Sequence, residues 1–289
     1  MPEATLPFHS AHAPRLVPAP EDIQQGYELS LEHRRVRGAE VRLFTFPEGS
    51  RDESRTVLCL PGLGASGRSF APMRPLAPER RFLLWTPPVA TPMTHTPLQW
   101  SLASLTHPDA GLPERFALVG SSFGSLVSIA FALAHPERVK ALVLVSPVAS
   151  VHRVRRWALA LSTLVRMPKP FAYLFAPTVA RVLGGRFLPP EGRAEIVREA
   201  RRLSPLELLR RLEDILEADY LDDLERLRVP TLIIHGARDL LVPLSYARDV
   251  AARIPGSRLE VLREASHLPY MSHSQSFNQL VGDFLLKHT

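Results

Sequence analysis

The feature that most constrains the fold is a Gly-x-Ser-x-Gly motif placed between two long apolar runs. In residues 118–147, LVGSSFGSLVSIAFALAHPERVKALVLVSP, the motif holds Ser122 between Gly120 and Gly124. An aliphatic run ends at the motif, and a helical pattern begins there. Glycine costs backbone entropy inside regular structure, so a pair around one residue indicates a backbone conformation that other residues rarely reach. The sequence therefore predicts a strand, a sharp turn carrying Ser122, and a helix.

Short aliphatic runs alternate with helical patterns along the rest of the chain. An alternating strand is predicted at 40–48. Runs that are apolar throughout predict strands buried on both faces, and they lie at 56–62, 81–88, 116–122, 139–147, 230–239 and 257–267. Helical patterns fall between them, at 68–78, 98–106, 123–134, 245–253 and 274–287. This order predicts an α/β fold with a mostly parallel, doubly wound sheet covered by helices.

One long interval interrupts this alternation. Between Ser146 and Pro230 there is no strand pattern, and prolines separate the helical ones, as they do at helix boundaries. The four helical patterns lie at 151–166, 171–183, 191–203 and 205–218. We expect these helices to form a cap over the carboxyl edge of the sheet. The predicted organisation is an N-terminal arm (1–26), a core (27–147 and 221–289) and an inserted cap (148–220).

The charge distribution bears on possible partners. The chain has 35 Lys and Arg against 29 Asp and Glu, a net charge of +6, and 13 of the basic and 8 of the acidic residues lie in 151–220. A basic region can bind nucleic acid. Here, however, arginines alternate with acidic residues at helical spacing, which favours a solvated face with ion pairs. We expect no nucleic-acid partner.

The single cysteine and the first residues indicate the compartment. Cys59 has no partner for an internal disulfide, and its apolar neighbours in TVLCLPG predict a buried structural thiol. Residues 1–22 lack the basic start and apolar run of a secretory signal. No stretch approaches the ~18 apolar residues of a membrane span. We expect a cytoplasmic protein.

The motif predicts a nucleophile only if the chain also supplies a base and an orienting acid. A serine hydroxyl is a poor nucleophile until a base takes its proton, and a third group fixes the tautomer of that base. Asp239 lies at the end of the segment 230–239, four residues after the turn that begins at His235, and His267 lies in the loop that closes the last segment, 257–267. Two alternatives stay open: Asp239 could cap the helix near 245, and His273 competes with His267. The order Ser, Asp, His is the usual one for this motif.

Acyl transfer also needs hydrogen-bond donors for the oxyanion of its transition state. One candidate donor is the backbone N–H of Phe123, directly after the serine. The other is the N–H of Leu63 in the loop LPGLGAS, where glycines permit close approach, although a plain glycine-rich turn would look the same. The remaining nine histidines form no metal-ligand cluster, so no metal is expected.

In combination, these motifs resemble the α/β-hydrolase family of esterases, lipases and C–C bond hydrolases, with a helical cap, over roughly residues 38–289. The resemblance implies a Ser122–His267–Asp239 triad, an oxyanion hole at Leu63 and Phe123, and no cofactor. Two departures stand out. Pro61-Gly62 replaces the family's frequent His-Gly, and TPPVATPMTHTPLQW replaces its usual Asp-x-x-Gly-x-Gly-x-Ser.

The expected function is therefore a serine hydrolase that cleaves a carboxylic ester, or a similar acyl compound, of a small hydrophobic substrate through an acyl-enzyme. Two alternatives remain. One is a C–C bond hydrolase or lyase of the same fold, and the other is a non-catalytic ligand-binding protein that keeps it. Serine at the motif argues against the similar folds that use an aspartate there, those of haloalkane dehalogenases and epoxide hydrolases.

Overall fold

The computed structural model describes residues 28–150, 178–202 and 204–289. Within these ranges, eight strands form one sheet in the order β1-β2-β4-β3-β5-β6-β7-β8. They are β1 (Ser30–Val36), β2 (Ala39–Thr45), β3 (Thr56–Leu60), β4 (Arg81–Thr86), β5 (Phe116–Ser121), β6 (Val139–Val145), β7 (Thr231–Gly236) and β8 (Arg258–Leu262). Strands β3 to β8 run parallel to one another, and β2 runs antiparallel to both of its neighbours, β1 and β4. The predicted α/β fold with a mostly parallel sheet is confirmed.

Helices cover both faces of this sheet. They are α1 (Pro97–Leu105), α2 (Phe123–Ala134), α3 (Pro190–Arg202), α4 (Pro205–Glu217), α5 (Leu244–Arg253), α6 (Pro269–Ser272) and α7 (Ser274–His288). Alternate residues of a strand point to opposite faces, so Leu58 joins one apolar cluster with α1, α2 and α5, and Cys59 joins the other with α7. Cys59 is fully buried, and burial raises the pKa of its thiol.

The first connection between parallel strands contains the helix predicted at 68–78, and this helix is a 3-10 helix and not an α-helix. It spans Gly67–Glu79 and contains Pro72, Pro75 and Pro78. Each proline lacks the N–H that an α-helix needs and clashes with the preceding turn. Prolines three residues apart lie along one side of a helix with three residues per turn. The proline spacing therefore explains the difference.

Strand β1 was not predicted from the sequence. Its residues, SLEHRRV, are mostly exposed and show no apolar alternation. The strand pairs only with β2, at the edge of the sheet. Charged side chains at an edge discourage pairing with other chains. The charged residues of β1 are therefore typical of a sheet edge, but they give no pattern from which a strand could be predicted.

The interval between β6 and β7 contains the expected helices in its described part. Predictions at 191–203 and 205–218 correspond to α3 and α4, and residues 178–184 are also helical. The predicted arm (1–26), the helix at 151–166 and most of the helix at 171–183 lie outside the described residues. The described residues 178–202 and 204–218 are called the insertion below.

A buried ion pair fixes α4 of the insertion to the core. Glu207 accepts a hydrogen bond from Arg211 Nε at 2.9 Å, and both side chains are only 1% exposed. The other oxygen of Glu207 accepts from the backbone N–H of Thr91 at 3.0 Å and from its hydroxyl at 2.9 Å. Arg211 also donates to the carbonyl of Pro88 at 2.8 Å. The pair thus holds the loop that follows β4.

Further polar contacts repeat this arrangement along the insertion. From α3, Glu195 accepts from the Ser66 hydroxyl at 2.7 Å, and Glu199 pairs with Arg42 at 3.0 Å. From α4, Asp214 accepts from the backbone N–H of Leu98 at 2.7 Å, in the first turn of α1. Burial raises the pKa of Asp214, against the hydrogen bonds that it accepts. Acidic side chains of two helices therefore face inward and bind the core.

We expect Glu207→Ala to destabilise the protein by about 3–5 kcal/mol, because it leaves the Arg211 guanidinium buried without its partner. The control is Glu213→Ala on the same helix, whose side chain is exposed and whose loss is expected to cost within about 0.5 kcal/mol. Urea unfolding followed by circular dichroism measures both. Equal midpoints for the two variants would contradict a structural role for this ion pair.

Candidate active site

Ser122 sits in a strained turn between β5 and α2. Its backbone has φ 51° and ψ −115°, a region that residues other than glycine seldom occupy and that costs about 1–3 kcal/mol. Its N–H donates to the carbonyl of Val145 at 2.9 Å, and its carbonyl accepts from the N–H of Leu126 at 3.2 Å. Strand pairing on one side and the helix on the other therefore hold the turn in place.

The first turn of α2 packs directly against the end of β3. A methyl group added at Gly124 would lie 2.0 Å from the carbonyl oxygen of Leu60, so only glycine fits there. The loop after β3 then passes beside the serine: a methyl group added at Gly62 would lie 3.2 Å from Ser122 Cβ. This packing places the glycine-rich loop LPGLGAS next to Ser122.

Two backbone amides, one directly after Ser122 and one in the adjacent loop, are candidate hydrogen-bond donors of the site. Phe123 is the first residue of α2, and the first N–H groups of a helix have no partner within the helix. Leu63 follows Gly62 in the adjacent loop. Among the described residues, neither the Phe123 nor the Leu63 N–H has a hydrogen-bond acceptor. Both amides are therefore free to bind an anionic oxygen.

Asp239 lies in the loop after β7, with its carboxylate fully buried. One oxygen accepts from the backbone N–H groups of Leu241 and Val242, at 2.8 and 2.9 Å. The other lies 2.7 Å from His267 Nδ1. Burial alone would raise the pKa of the Asp239 carboxyl. The interactions with His267 and the Val242 amide outweigh burial and hold that pKa below its usual value.

The structure pairs Asp239 with His267 and places His273 elsewhere. His267 is 3% exposed in the loop after β8. Its Nδ1 faces the carboxylate, and a neutral imidazole that donates from Nδ1 to that acceptor has its lone pair on Nε2. His273 directly precedes α7, where its ring contacts the ring of Phe187 at a centroid distance of 5.2 Å. Burial lowers the pKa of His273.

A second histidine lies behind Asp239. His235, near the end of β7, is fully buried, and its Nε2 lies 3.0 Å from the carbonyl of Val242 and 3.7 Å from the Asp239 carboxylate. Burial lowers the pKa of His235, although the charge of Asp239 opposes that effect. A neutral His235 donates its Nε2 proton to Val242. This hydrogen bond therefore joins the end of β7 to Val242 and fixes the loop between them, which contains Asp239.

Two serines support the site through hydrogen bonds that the sequence did not predict, and Ser125 was expected only to let the backbone close around Ser122 or to pack. Ser146, after β6, has φ 46° and donates its hydroxyl to the carbonyl of His267 at 2.9 Å. Ser125 donates to the carbonyl of Ser122 at 2.5 Å and accepts from the N–H of Val148 at 3.0 Å. The only sequence signal was the position of each serine near the carboxyl end of a strand.

The described residues contain neither a metal site nor a membrane-spanning helix. No group of three or more histidine, cysteine or acidic side chains in 28–150, 178–202 and 204–289 could hold a metal ion. Within the same ranges, every helix is too short or too polar to cross a membrane. The arrangement around Ser122 is therefore the candidate site that the described residues present.

Comparisons with known proteins show the family and the fold of the chain. A family model described as the alpha/beta hydrolase family matches residues 57–280. The chain is 32% identical, over 182 residues, to a pimeloyl-acyl-carrier protein methyl ester esterase of Aeromonas hydrophila, covering 60% of this chain and 72% of that one. It is 30% identical over 260 residues to RutD of Caulobacter sp. (strain K31), a protein provisionally named as a carbamate hydrolase. That match covers 82% of this chain and 92% of RutD. The solved esterase EaEST of Exiguobacterium antarcticum has a TM-score of 0.77 at 20% identity, covering 88% and 98%.

The contact between α2 and β3 gives a test of this geometry by stability. We expect Gly124→Ala to cost about 1–3 kcal/mol or more, because its methyl group forces the helix away from the Leu60 carbonyl. Gly282→Ala is the matched control within α7. There the nearest atom is the Leu76 Cδ2, 3.1 Å away at the end of a flexible side chain. Both changes replace a helical glycine with alanine, so thermal unfolding midpoints that are lowered equally would argue against the close approach.

Proposed function

The chain belongs to the alpha/beta hydrolase family, and from that premise we propose that it hydrolyses a carboxylic ester with Ser122 as nucleophile. The observation that carries this proposal is the buried hydrogen bond of 2.7 Å between His267 and Asp239. It lies at the same edge of the sheet as the strained turn of Ser122. A nucleophile elbow needs this combination of a strained serine, a base and an orienting acid.

The proposed reaction proceeds through an acyl-enzyme. Nε2 of His267 takes the proton of the Ser122 hydroxyl while Oγ attacks the ester carbonyl carbon. The same proton then passes to the leaving alcohol as the ester C–O bond breaks. A water molecule then gives a proton to His267 and attacks the acyl carbon. The protonated His267 passes this proton to Ser122 Oγ as the bond from Oγ to the acyl carbon breaks, and the carboxylic acid is released. Asp239 stays ionised throughout and stabilises the protonated imidazole.

The Phe123 and Leu63 amides complete this proposal as the oxyanion hole. Their freedom from acceptors among the described residues supports the assignment. The positive end of the α2 dipole adds to the field at the same place. Removing one such donor typically costs ~10²–10³ in kcat, so fixed backbone donors supply a large share of the rate. They also need no side chain, which is consistent with Pro61 replacing the family's frequent histidine.

We propose that the insertion is a cap and that the substrate carries a hydrophobic acyl group. Leu208 of α4 lies over the oxyanion loop, since its Cδ2 would be 3.4 Å from a methyl group added at Gly64. Leu208 and Leu63 are both half-buried, so part of each remains free for an apolar group. The similarity to an esterase of acyl methyl esters supports this substrate class.

Carbamate hydrolysis is a second candidate. The relative provisionally named for it matches over 82% of this chain. A carbamate presents the same carbonyl carbon to Ser122, with nitrogen attached in place of the acyl carbon. The proposed serine, histidine and oxyanion donors would act on it unchanged, so the two candidates differ only in what the pocket accepts.

The direct test is Ser122→Ala. We expect it to lower ester hydrolysis by about 10³-fold or more and to abolish labelling by a fluorophosphonate probe, since only the nucleophilic oxygen is lost. Ser101→Ala is the control, because that hydroxyl bonds within α1, to the Pro97 carbonyl at 2.7 Å. Rates are measured on nitrophenyl esters of increasing acyl length and on a matching nitrophenyl carbamate.

Three results would separate the candidates. A Ser122→Ala variant that keeps more than about a tenth of the wild-type rate would refute the nucleophile, given the losses that triad members cause. Faster turnover of the carbamate would favour the second candidate. A wild-type protein that neither labels nor turns over any of these substrates would support a non-catalytic binding protein.

The choice between the two histidines has its own test. We expect His267→Ala to reduce kcat about as strongly as Ser122→Ala, because the members of a triad act as a unit. His273→Ala is expected to leave kcat nearly unchanged, since that ring contacts Phe187 and not Asp239. Steady-state kinetics of both variants on one soluble ester decide the matter. The reverse order of effects would assign the base to His273.

A further inference from the structure

Hydrogen bonds tie three consecutive residues around the base to different parts of the fold. The Ser266 hydroxyl donates to the carbonyl of Val182 at 2.7 Å. The Leu268 N–H donates to the carbonyl of Leu183 at 3.1 Å. Between them, the His267 carbonyl accepts from Ser146. The residues on both sides of His267 are therefore bound to the insertion, and His267 itself is bound to the end of β6.

The insertion offers these acceptors because a helix ends there. Residues 178–184 are helical, and Gly185 follows with φ +72°. The last carbonyls of a helix have no donor within it and need partners from outside. Val182 and Leu183 find those partners in the His267 loop. The same two hydrogen bonds thus cap this helix and fix the backbone on either side of the histidine.

We propose that Ser266 is a positioning residue, through which the insertion holds the His267 ring on Asp239. This inference rests on the proposed function, in which His267 is the base. The hydrogen bond of 2.7 Å to Asp239 is directional, so it requires the backbone at 266–268 to stay in one place. The insertion is then part of the support of the base, and the helix at 178–184 cannot lift away without releasing it.

The hydrogen bond from Ser266 to Val182 is expected to affect the rate of the chemical step and not the binding of substrate. Ser266 is almost fully buried and lies one residue from the base, so its loss changes the placement of the imidazole. A misplacement of about 1 Å can cost about 10²-fold in rate. We expect Ser266→Ala to reduce kcat by about 10- to 100-fold on this basis and to leave KM close to its wild-type value.

The matched control is Ser272→Ala. Its hydroxyl lies 3.1 Å from the Leu268 carbonyl and 3.0 Å from His273 Nδ1, so both of its partners belong to the segment that follows the loop and neither belongs to the insertion. Kinetics on a soluble ester give kcat and KM for both variants. Proton NMR measures the solvent exchange of the His267 Nδ1 proton, which is slow while the bond to Asp239 is intact. The proposal requires faster exchange in Ser266→Ala than in Ser272→Ala.

A second pair of variants tests the contact from the side of the insertion. A methyl group added at Gly185 would lie 3.1 Å from Ser266 Cβ, and the positive φ adds strain. Gly256→Ala has the same strain, at φ +70°, with nothing within 4 Å of the new methyl group. We expect Gly185→Ala to lower kcat and to make the solvent exchange of the His267 Nδ1 proton faster, and we expect Gly256→Ala to change neither. This pair decides the question if Ser266→Ala does not fold.

The two measurements, kcat on a soluble ester and the solvent exchange of the His267 Nδ1 proton, separate this inference from the proposed function. Wild-type kcat and wild-type exchange in both Ser266→Ala and Gly185→Ala would overturn the positioning role. If the wild-type protein hydrolyses no ester, the proposed function fails. The exchange of the Nδ1 proton still shows whether Ser266 holds His267 on Asp239. A loss of kcat with unchanged exchange would also overturn the inference, because the variant would then act by another route.

Discussion

The hydrogen bond between His267 and Asp239 is the contact on which the rest of the site depends, and it joins two loops that are otherwise separate in the chain. Asp239 accepts hydrogen bonds from two backbone amides of its own loop, and the contact of His235 with the Val242 carbonyl fixes that loop. His267 is held by Ser146 and through its neighbours by the insertion. A carboxylate buried this deeply stays charged only because its partners stabilise it. The loops after β6, β7 and β8 therefore form one connected structure.

The turn at Ser122 imposes a second constraint, which is steric. Its strained backbone persists because strand pairing with β6 and the start of α2 fix both of its ends. Gly124 lets that helix approach β3 closely enough to bring the Leu63 loop beside the serine. The candidate nucleophile and both candidate oxyanion donors thus share one packing arrangement. A change in the position of α2 would alter all three together.

The insertion meets the core in two chemically different ways. Near the loop after β4, the buried pair of Glu207 and Arg211 satisfies backbone groups of Pro88 and Thr91. That loop lacks the motif usual in the family, so its conformation depends on α4. Near the base, the contacts are hydrogen bonds to the carbonyls of Val182 and Leu183. The described part of the insertion is thus bound both to the loop after β4 and to the loop that carries the candidate base.

The sequence by itself determined the α/β fold, the parallel strands and the order of the candidate residues Ser122, Asp239 and His267. These follow from apolar periodicity and from polar residues at strand ends, which are local signals. It missed β1, whose charged edge residues carry no apolar pattern. It predicted the helix at 68–78 but not its 3-10 form, which the proline spacing imposes. Only the tertiary structure decided which histidine meets Asp239, and that Ser146 and Ser266 support it. Those contacts join residues far apart in the chain, and their formation depends on the packing of whole elements, which no local pattern encodes.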